Sequence, residues 1–233
     1  MKLSIIMPVF DEAAEIEAAL AALAPCRRRG VELIVVDGGS RDGTPDLARP
    51  LADRVVSGQS GRALQMNAGA AAANGDVLLF LHADTRLPEG ADQLVLDGLA
   101  GSGRAGGRTW GRFDVRIEGG GLLGLVSFTM NWRSRITRIT TGDQAMFVTR
   151  AAFKAAGGFP AIALMEDVAL SARLKRIGAP LALRARVTTS PRRWRKHGTF
   201  RTVLLMWRLR LSFFLGADPA KLAQAYGYAP AER

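Results

Sequence analysis

Through the first hundred residues, short apolar runs rich in β-branched residues alternate with Ala- and Leu-rich stretches. The order is LSIIMPV, then 13–24, then VELIVVD, then 44–52, then RVV, then 62–74, then DVLLFLH. This switching between strand-like and helical text predicts βαβ units and a parallel sheet. Runs such as Leu33-Ile34-Val35-Val36 and Val77 to Leu81 are continuously apolar, as expected of central strands covered on both faces. Each run gives way to polar residues: Asp11-Glu12, Asp37, then His82 and Asp84. Open α/β sheets bind ligands beyond the carboxyl ends of their strands, so these three clusters are expected to line one cleft.

From residue 101 the text changes. Gly-rich GSGRAGG leads into TWGRFDVRIE, which is strand-like, and LLGLVSFTMNW. A strand near 145–149, short helices at 150–156 and 167–177, a strand at 181–188 and a helix at 199–215 follow. With 233 residues and 48% apolar content, the chain can bury one sizeable core. We therefore expect one domain over 1–233, with halves at 1–100 and 101–233. The single cysteine, Cys26, excludes an internal disulfide, and no Cys/His spacing suits zinc, so the chain reads as cytosolic. The opening MKLSIIMPVFDE is too short in apolar residues for a secretory signal and reads as a first strand. The net charge is +11, and residues 168–217 hold twelve Arg or Lys and no Asp or Glu. Such a field favours an anionic partner: a polyanion, a phosphorylated substrate or an anionic membrane face.

Five stretches carry candidate chemistry, each with a plain structural reading beside it. VVDGGSRDGT places Asp37 at a strand end and Asp42 before the next helix, with glycines that permit close approach to a ligand. It is also what a capped βα turn looks like, and its spacing is not that of a dinucleotide fingerprint. Arg62 sits near the start of a small-residue helix, where the macrodipole disfavours a cation unless an anion is nearby. Asp84, in LLFLHADTRLP, is either the cap of a turn or an oxygen ligand for Mg²⁺ or Mn²⁺. Glu166-Asp167 opens an amphipathic helix, where acids serve the dipole or supply a general base. In SPRRWRKHGTFRTVLLMWRLRLSFFLG, residues 190–216, Arg208 and Arg210 interrupt the apolar stretch, which argues against a spanning helix. An interfacial helix with basic flanks and a core helix with snorkelling arginines both fit.

Taken in order, these motifs resemble family 2 glycosyltransferases of the GT-A fold, which are nucleotide-diphosphosugar transferases. The resemblance covers roughly 3–90 and 141–195 and rests on IIMPVFDE, DGGSRDGT, HAD in place of DxD, and MEDVAL. It implies an α/β fold with a mostly parallel central sheet flanked by helices, a nucleotide-binding half at 1–100 and an acceptor-side half at 101–233. It further implies that Pro8 and Glu12 border the nucleobase, that Asp37 bonds the base with Asp42 in the same turn, and that Asp84 binds the metal. Asp167, with Glu166 beside it, takes the place of the catalytic base, and Arg193-Trp194 resembles the RW of QxxRW, with Ser190 at the glutamine position. His82 stands where the first carboxylate of DxD would be; imidazole ligates Mn²⁺ better than Mg²⁺, and the alternative is that it lines the pocket. FLHADTRLP, TGDQAMFV, GGFP and the RRW and YG near the end are similar to a bacterial subfamily associated with arsenosugar biosynthesis.

The expected reaction is inverting transfer from a nucleotide-diphosphosugar to an acceptor hydroxyl, with Mg²⁺ or Mn²⁺ as cofactor and Arg62 and Arg193 offsetting leaving-group charge. The acceptor is expected to be hydrophobic or lipid-linked, and the chain to meet anionic lipid reversibly through 199–215 and 122–132 at the inner face of the membrane. Two other readings stand beside this one. A sugar-phosphate nucleotidyltransferase shares the βαβ organisation but ordinarily carries a Gly-rich basic loop after the first strand, where this chain has Pro-Val-Phe-Asp-Glu. A basic nucleic-acid module would use 184–210, yet no motif or aromatic stacking platform supports it, and no nucleic acid is expected as partner.

Overall fold

Strands form where the continuous apolar runs lie, and the turns fall on Gly, Pro and Asp. The computed structural model describes residues 1–101 and 107–228, so most of the GSGRAGG stretch lies outside the described residues. The first half runs β1 (Leu3–Val9), α1 (Ala13–Ala21), α2 (Ala24–Arg28), β2 (Glu32–Asp37), α3 (Thr44–Ala48), β3 (Arg54–Ser57), α4 (Arg62–Ala72) and β4 (Val77–Phe80). Then come β5 (Thr85–Arg86), α5 (Ala91–Ala100), β6 (Trp110–Ile117), α6 (Leu122–Thr137), a 3-10 turn at Gly142–Gln144, and β7 (Phe147–Thr149). The chain continues through α7 (Arg150–Ala155), α8 (Glu166–Ile177), β8 (Leu181–Thr189), α9 (Arg192–His197), α10 (Thr199–Phe214) and α11 (Pro219–Tyr226).

The helix expected over 13–24 is two helices. Pro25 lies in the first turn of α2, where its missing N–H is harmless, but within one long helix it would have broken the ladder. The helix expected over 44–52 ends at Ala48, two residues before Pro50, which likewise has no N–H to donate. Helix α5 had no assignment from the sequence; Ala91, Val95 and Leu99 are its buried stripe.

All eight strands join one sheet in the order β3-β2-β1-β4-β7-β6-β8-β5. Pairs β1–β2, β1–β4, β2–β3 and β6–β8 are parallel, whereas β7 runs antiparallel to β4 and β6, and β5 antiparallel to β8. The sheet is therefore mixed. The reversal of β7 places its leading turn beside the carboxyl end of β4, since Leu79 pairs with Phe147.

Alternate residues of each central strand feed two separate cores. Ile5, Met7, Leu33 and Val35 pack toward α1, α2 and α5 through Ile16, Leu20 and Val95. Ile6, Ile34, Val36, Leu78 and Phe80 pack toward α4, α7 and α8 through Met66, Phe153 and Leu170. Helix α4 lies so close to the sheet that a Cβ on Gly69 would come within 2.4 Å of Ile6, which is the packing reason for its small residues. A third cluster of Ile139, Leu164, Met165, Val168, Leu209, Leu222 and Ala223 seats α10 and α11 on the start of α8. No helix among the described residues is long and apolar enough to cross a membrane.

Candidate active site

The carboxyl ends of β2, β1 and β4 and the amino end of β7 lie in sequence along one sheet edge. Adjacent strands stand about 4.8 Å apart, so loops from all four fall within about 15 Å. Pro8 is half-buried in β1, opposite Val36. Asp37 is buried, and its carboxylate accepts the N–H groups of Gly39 and Ser40, shaping its own turn. Asp42 accepts from the Thr44 hydroxyl (2.6 Å) and N–H and from the Ala13 N–H (2.8 Å), which ties this turn to the start of α1. In return Asp11 holds the Arg41 N–H at 2.8 Å and Thr44 holds the Glu12 N–H at 2.9 Å. Asp11 itself has φ 51°, a strained conformation for a non-glycine residue. The two loops are thus laced together, and Asp37 and Asp42 spend their oxygens on that lacing.

Past β4, the His82 ring lies against Gly142, where a Cβ would come within 2.4 Å of Cε1. Only glycine lets the 3-10 turn close on the imidazole. His82 Nδ1 is 3.8 Å from Asp143 Oδ1. The same turn fixes Asp167, whose Oδ2 accepts the Gly142 N–H at 2.6 Å while Oδ1 accepts the Val168 N–H at 2.7 Å. Met165, left-handed at φ 69°, delivers Glu166 and Asp167 to the first turn of α8.

Asp84 is placed by the opposite edge: its carbonyl accepts the Ser190 N–H at 3.1 Å, just after β8. Beyond Ser190, Arg192 reaches Glu12 at 3.3 Å. Arg193 stacks 3.5 Å over the Tyr226 ring and donates to the Tyr226 carbonyl at 2.7 Å. Arg62 is exposed at the start of α4, 5.3 Å above the Tyr228 ring. Both candidate phosphate ligands therefore meet the tyrosines at the end of α11.

Electrostatics follows from this crowding. Burial, then Arg62, holds the His82 pKa below its usual value, so it is a neutral imidazole near pH 7. Burial raises Asp143, with His82 opposing. Burial also raises Glu12, opposed mainly by Arg192. Glu166, 6% exposed, is pushed up to about 7 by burial and then by Asp167, with Arg62 opposing.

The sign of the Glu166 effect on stability is fixed. Between its unfolded value of 4.5 and about 7, the folded state holds a proton the unfolded state has lost, so stability falls as pH climbs through that window. Glu166→Gln should stabilise the fold at pH 8 by on the order of 1–3 kcal/mol, seen as a higher melting temperature, and leave it unchanged at pH 4.5. Equal wild-type and variant melting curves at pH 8 would contradict this.

Arg62, His82, Asp143, Glu166, Asp167 and Trp194 share a cavity of about 570 Å³, completed by α6, α10 and Tyr226. Of the residues singled out from sequence, five line it; Asp84, Glu12, Arg193, Pro8, Asp37 and Asp42 lie outside its wall, although the Asp84 charge is felt by His82 and Asp143 within it. Asp143 and two arginines in the wall, Arg133 and Arg210, were not singled out as site residues. TGDQ carried a signal, a Gly-Asp turn entering a strand, but only β7's reversal brings it to His82.

The residues fit a hard divalent cation that completes its shell with substrate oxygens. Among the described residues the Asp84 carboxylate accepts only the Thr85 hydroxyl, at 3.2 Å, so its lone pairs are largely available. No trio of His, Cys, Asp or Glu among the described residues could hold a metal by itself. One or two carboxylates plus phosphate oxygens is the usual environment of Mg²⁺ with a nucleotide.

The sequence pattern described as Glycosyl transferase family 2 matches residues 4–154. No curated protein matches the chain at a comparable level. Among solved structures, residues 1–349 of TarS from S. aureus, in complex with UDP-GlcNAc, superpose with a TM-score of 0.67 at 19% identity, covering 82% of this chain and 58% of that one. A mannosyltransferase from Pyrobaculum calidifontis, in complex with GDP-Man and Mn²⁺, gives 0.63 at 20% identity over 97% of this chain and 69% of that one. Glucosyl-3-phosphoglycerate synthase from Mycobacterium tuberculosis, with Mn²⁺, UDP and glucosyl-3-phosphoglycerate, gives 0.61 at 20% identity over 99% and 81%. This chain thus spans less than two thirds of the TarS fragment, and at these identities the likeness speaks for the fold.

Proposed function

The chain belongs to glycosyl transferase family 2, and from that premise we propose that it moves a sugar from a nucleotide-diphosphosugar to an acceptor hydroxyl with inversion at the anomeric carbon. One observation carries the reading: His82, Asp143 and the Glu166-Asp167 pair face a single cavity, within which His82 and Asp143 feel the charge of Asp84. The nucleotide lies across the laced loops of Asp11–Thr44, with Pro8, Glu12, Asp37 and Asp42 shaping its seat. Solved structures of the same fold carry UDP-GlcNAc, GDP-Man and UDP, which supports a nucleotide-sugar donor without choosing the base or sugar.

In the transfer, the acceptor oxygen bonds to the anomeric carbon as the bond from that carbon to the diphosphate breaks. The electron pair leaves with the nucleoside diphosphate, and the acceptor proton passes to an oxygen of Asp167. Two backbone N–H bonds hold that carboxylate in place while lone pairs remain to take the proton. Glu166, buried beside it in the same wall, is a positioning residue whose proton affinity the Asp167 charge raises. Mg²⁺ or Mn²⁺ held by Asp84, with His82 as a neutral neighbour, would offset charge developing on the diphosphate. Arg62 faces the same charge once it leaves Tyr228, and Arg193 is the corresponding candidate beside Tyr226.

Incubation with nucleotide-sugars and Mn²⁺ should release nucleoside diphosphate. Release of pyrophosphate from a nucleoside triphosphate and a sugar phosphate would instead establish the nucleotidyltransferase reading.

The proposal extends to the membrane. Phe200, Leu204, Trp207, Leu211 and Phe214 recur at helical spacing on α10 and are 62–78% exposed; Leu122, Leu125, Phe128, Trp132 and Ile136 form a like stripe on α6. Arg201, Arg208, Arg135 and Arg138 flank them. An apolar stripe with basic flanks suits an anionic bilayer surface. The protein should sediment with phosphatidylglycerol vesicles at low salt, and Leu204→Glu with Trp207→Glu should abolish this. Equal recovery in the supernatant with and without vesicles would remove the membrane from the account.

A further inference from the structure

The cavity that holds Asp167 has two chemistries in its wall, and donor binding accounts for neither. One side is hydrocarbon: Leu125, Val126 and Met130 of α6 face Val203 and Met206 of α10. Set into that hydrocarbon are two guanidiniums, Arg133 from α6 and Arg210 from α10.

Neither makes an ion pair or side-chain hydrogen bond among the described residues, and Arg133 Nε and Nη2 are buried without a partner. Burial holds both below the usual arginine range, Arg133 at about 9, with Arg210 adding to its shift. Asp167 is the anion that both sense, with Asp143 reaching Arg210 as well, and the Asp167 oxygens already hold backbone N–H groups. Two desolvated cations side by side, neither ion-paired with the cavity's carboxylates among the described residues, are a standing electrostatic cost unless an anion seats between them. Phosphate matches best: near pH 7 a monoester carries roughly −1.5 to −2, close to the charge of two guanidiniums, and its oxygens suit their forked donors.

We propose that the acceptor is a hydroxyl-bearing anionic amphiphile, its phosphate head held between Arg133 and Arg210 so that the hydroxyl meets Asp167, and its hydrocarbon chain lying in the groove between α6 and α10. This rests on the glycosyl-transfer reading and names the substrate class of that site. The groove opens onto the exposed stripes of the same two helices, so a chain can enter it from a bilayer without crossing water. A volume of about 570 Å³ falls within the range of sites that enclose a small ligand.

Three tryptophans, Trp132, Trp194 and Trp207, line the cavity and report on its occupancy. Decyl phosphate should quench their fluorescence saturably in the full-length protein. Inorganic phosphate and uncharged decyl glucoside should each bind at least about tenfold more weakly, since each lacks one of the two contacts. Arg133→Gln with Arg210→Gln should weaken decyl phosphate about ten- to a hundredfold, the loss expected for hydrogen bonds to a charged group, and leave decyl glucoside unaffected. The paired Lys variants, which keep the charge and lose the forked donors, should bind decyl phosphate more weakly than wild type and more tightly than the Gln variant. If the Gln variant does not fold, the three-ligand comparison in wild type decides alone.

Inorganic phosphate binding as tightly as decyl phosphate would overturn the proposal, as would a folded Gln variant that binds decyl phosphate normally. Nucleotide-sugar stabilisation with Mn²⁺ is measured on the same samples. Its presence without decyl phosphate binding removes the lipid acceptor and spares the transferase reading, and the reverse removes that reading and spares this site.

Discussion

Asp167→Asn is expected to lower turnover at saturating donor and acceptor by about 10²–10⁴-fold, the range typical of a lost general base. The change keeps size and removes basicity. It also sets an amide NH₂ against a backbone N–H donor, because both Asp167 oxygens accept from the main chain, Gly142 to one and Val168 to the other. One of those bonds is lost, at about 1 kcal/mol, so melting should fall by a few degrees at most. The loss should appear in kcat with donor KM nearly unchanged, since Asp167 acts on the acceptor. Near-full turnover in the variant would remove Asp167 as base and leave Asp143 and Glu166, in the same cavity, as the carboxylates to test.

Asp84→Asn should act on the other substrate. Its carboxylate is the accessible acidic ligand where β5 begins, pinned through its own carbonyl by Ser190, so the side chain is presented without support from a second carboxylate. Replacing it with a neutral amide should remove the dependence of donor binding on Mn²⁺ and cost about 10²–10³-fold in turnover, the scale of losing one electrostatic contact to a developing charge. Backbone placement should survive, because the Ser190 bond uses the main chain. His82→Ala, by contrast, should change metal dependence little if the imidazole serves as cavity wall against Gly142, and strongly if it ligates.

The sequence made the first half of the sheet readable because each of β1, β2 and β4 is apolar on both faces and ends abruptly in polar residues. The reading failed where geometry depends on distant partners. β7 looked like any short strand, and its antiparallel run follows from pairing with β4, some seventy residues upstream. That one reversal brings Asp143 and Gly142 to His82, so Asp143 had no local mark as a site residue. Arg210 was visible only as an interruption of an apolar helix; that it faces Arg133 across a cavity depends on the third core cluster seating α10 on α8. Asp37 and Asp42 are the converse case. Their motif is specific, yet their oxygens are engaged in loop architecture, so their part in holding a nucleotide lies in the shape they impose. Arg62 and Arg193 were read as phosphate ligands from their charge, and the contacts with Tyr228 and Tyr226 are long-range facts that no local pattern contains.

The central claim is that this cavity and its flanking loops accept an activated sugar, and the most direct measurement is thermal unfolding of the wild type and Asp84→Asn with a panel of nucleotide-sugars, with and without Mn²⁺. At a hundredfold excess over Kd, binding adds about 2.7 kcal/mol, or about 5–10 °C for a chain of this size. The account predicts such a shift in the wild type for at least one nucleotide-sugar, dependent on Mn²⁺ and absent in Asp84→Asn. No shift with any donor, or an equal shift in the variant, would contradict it.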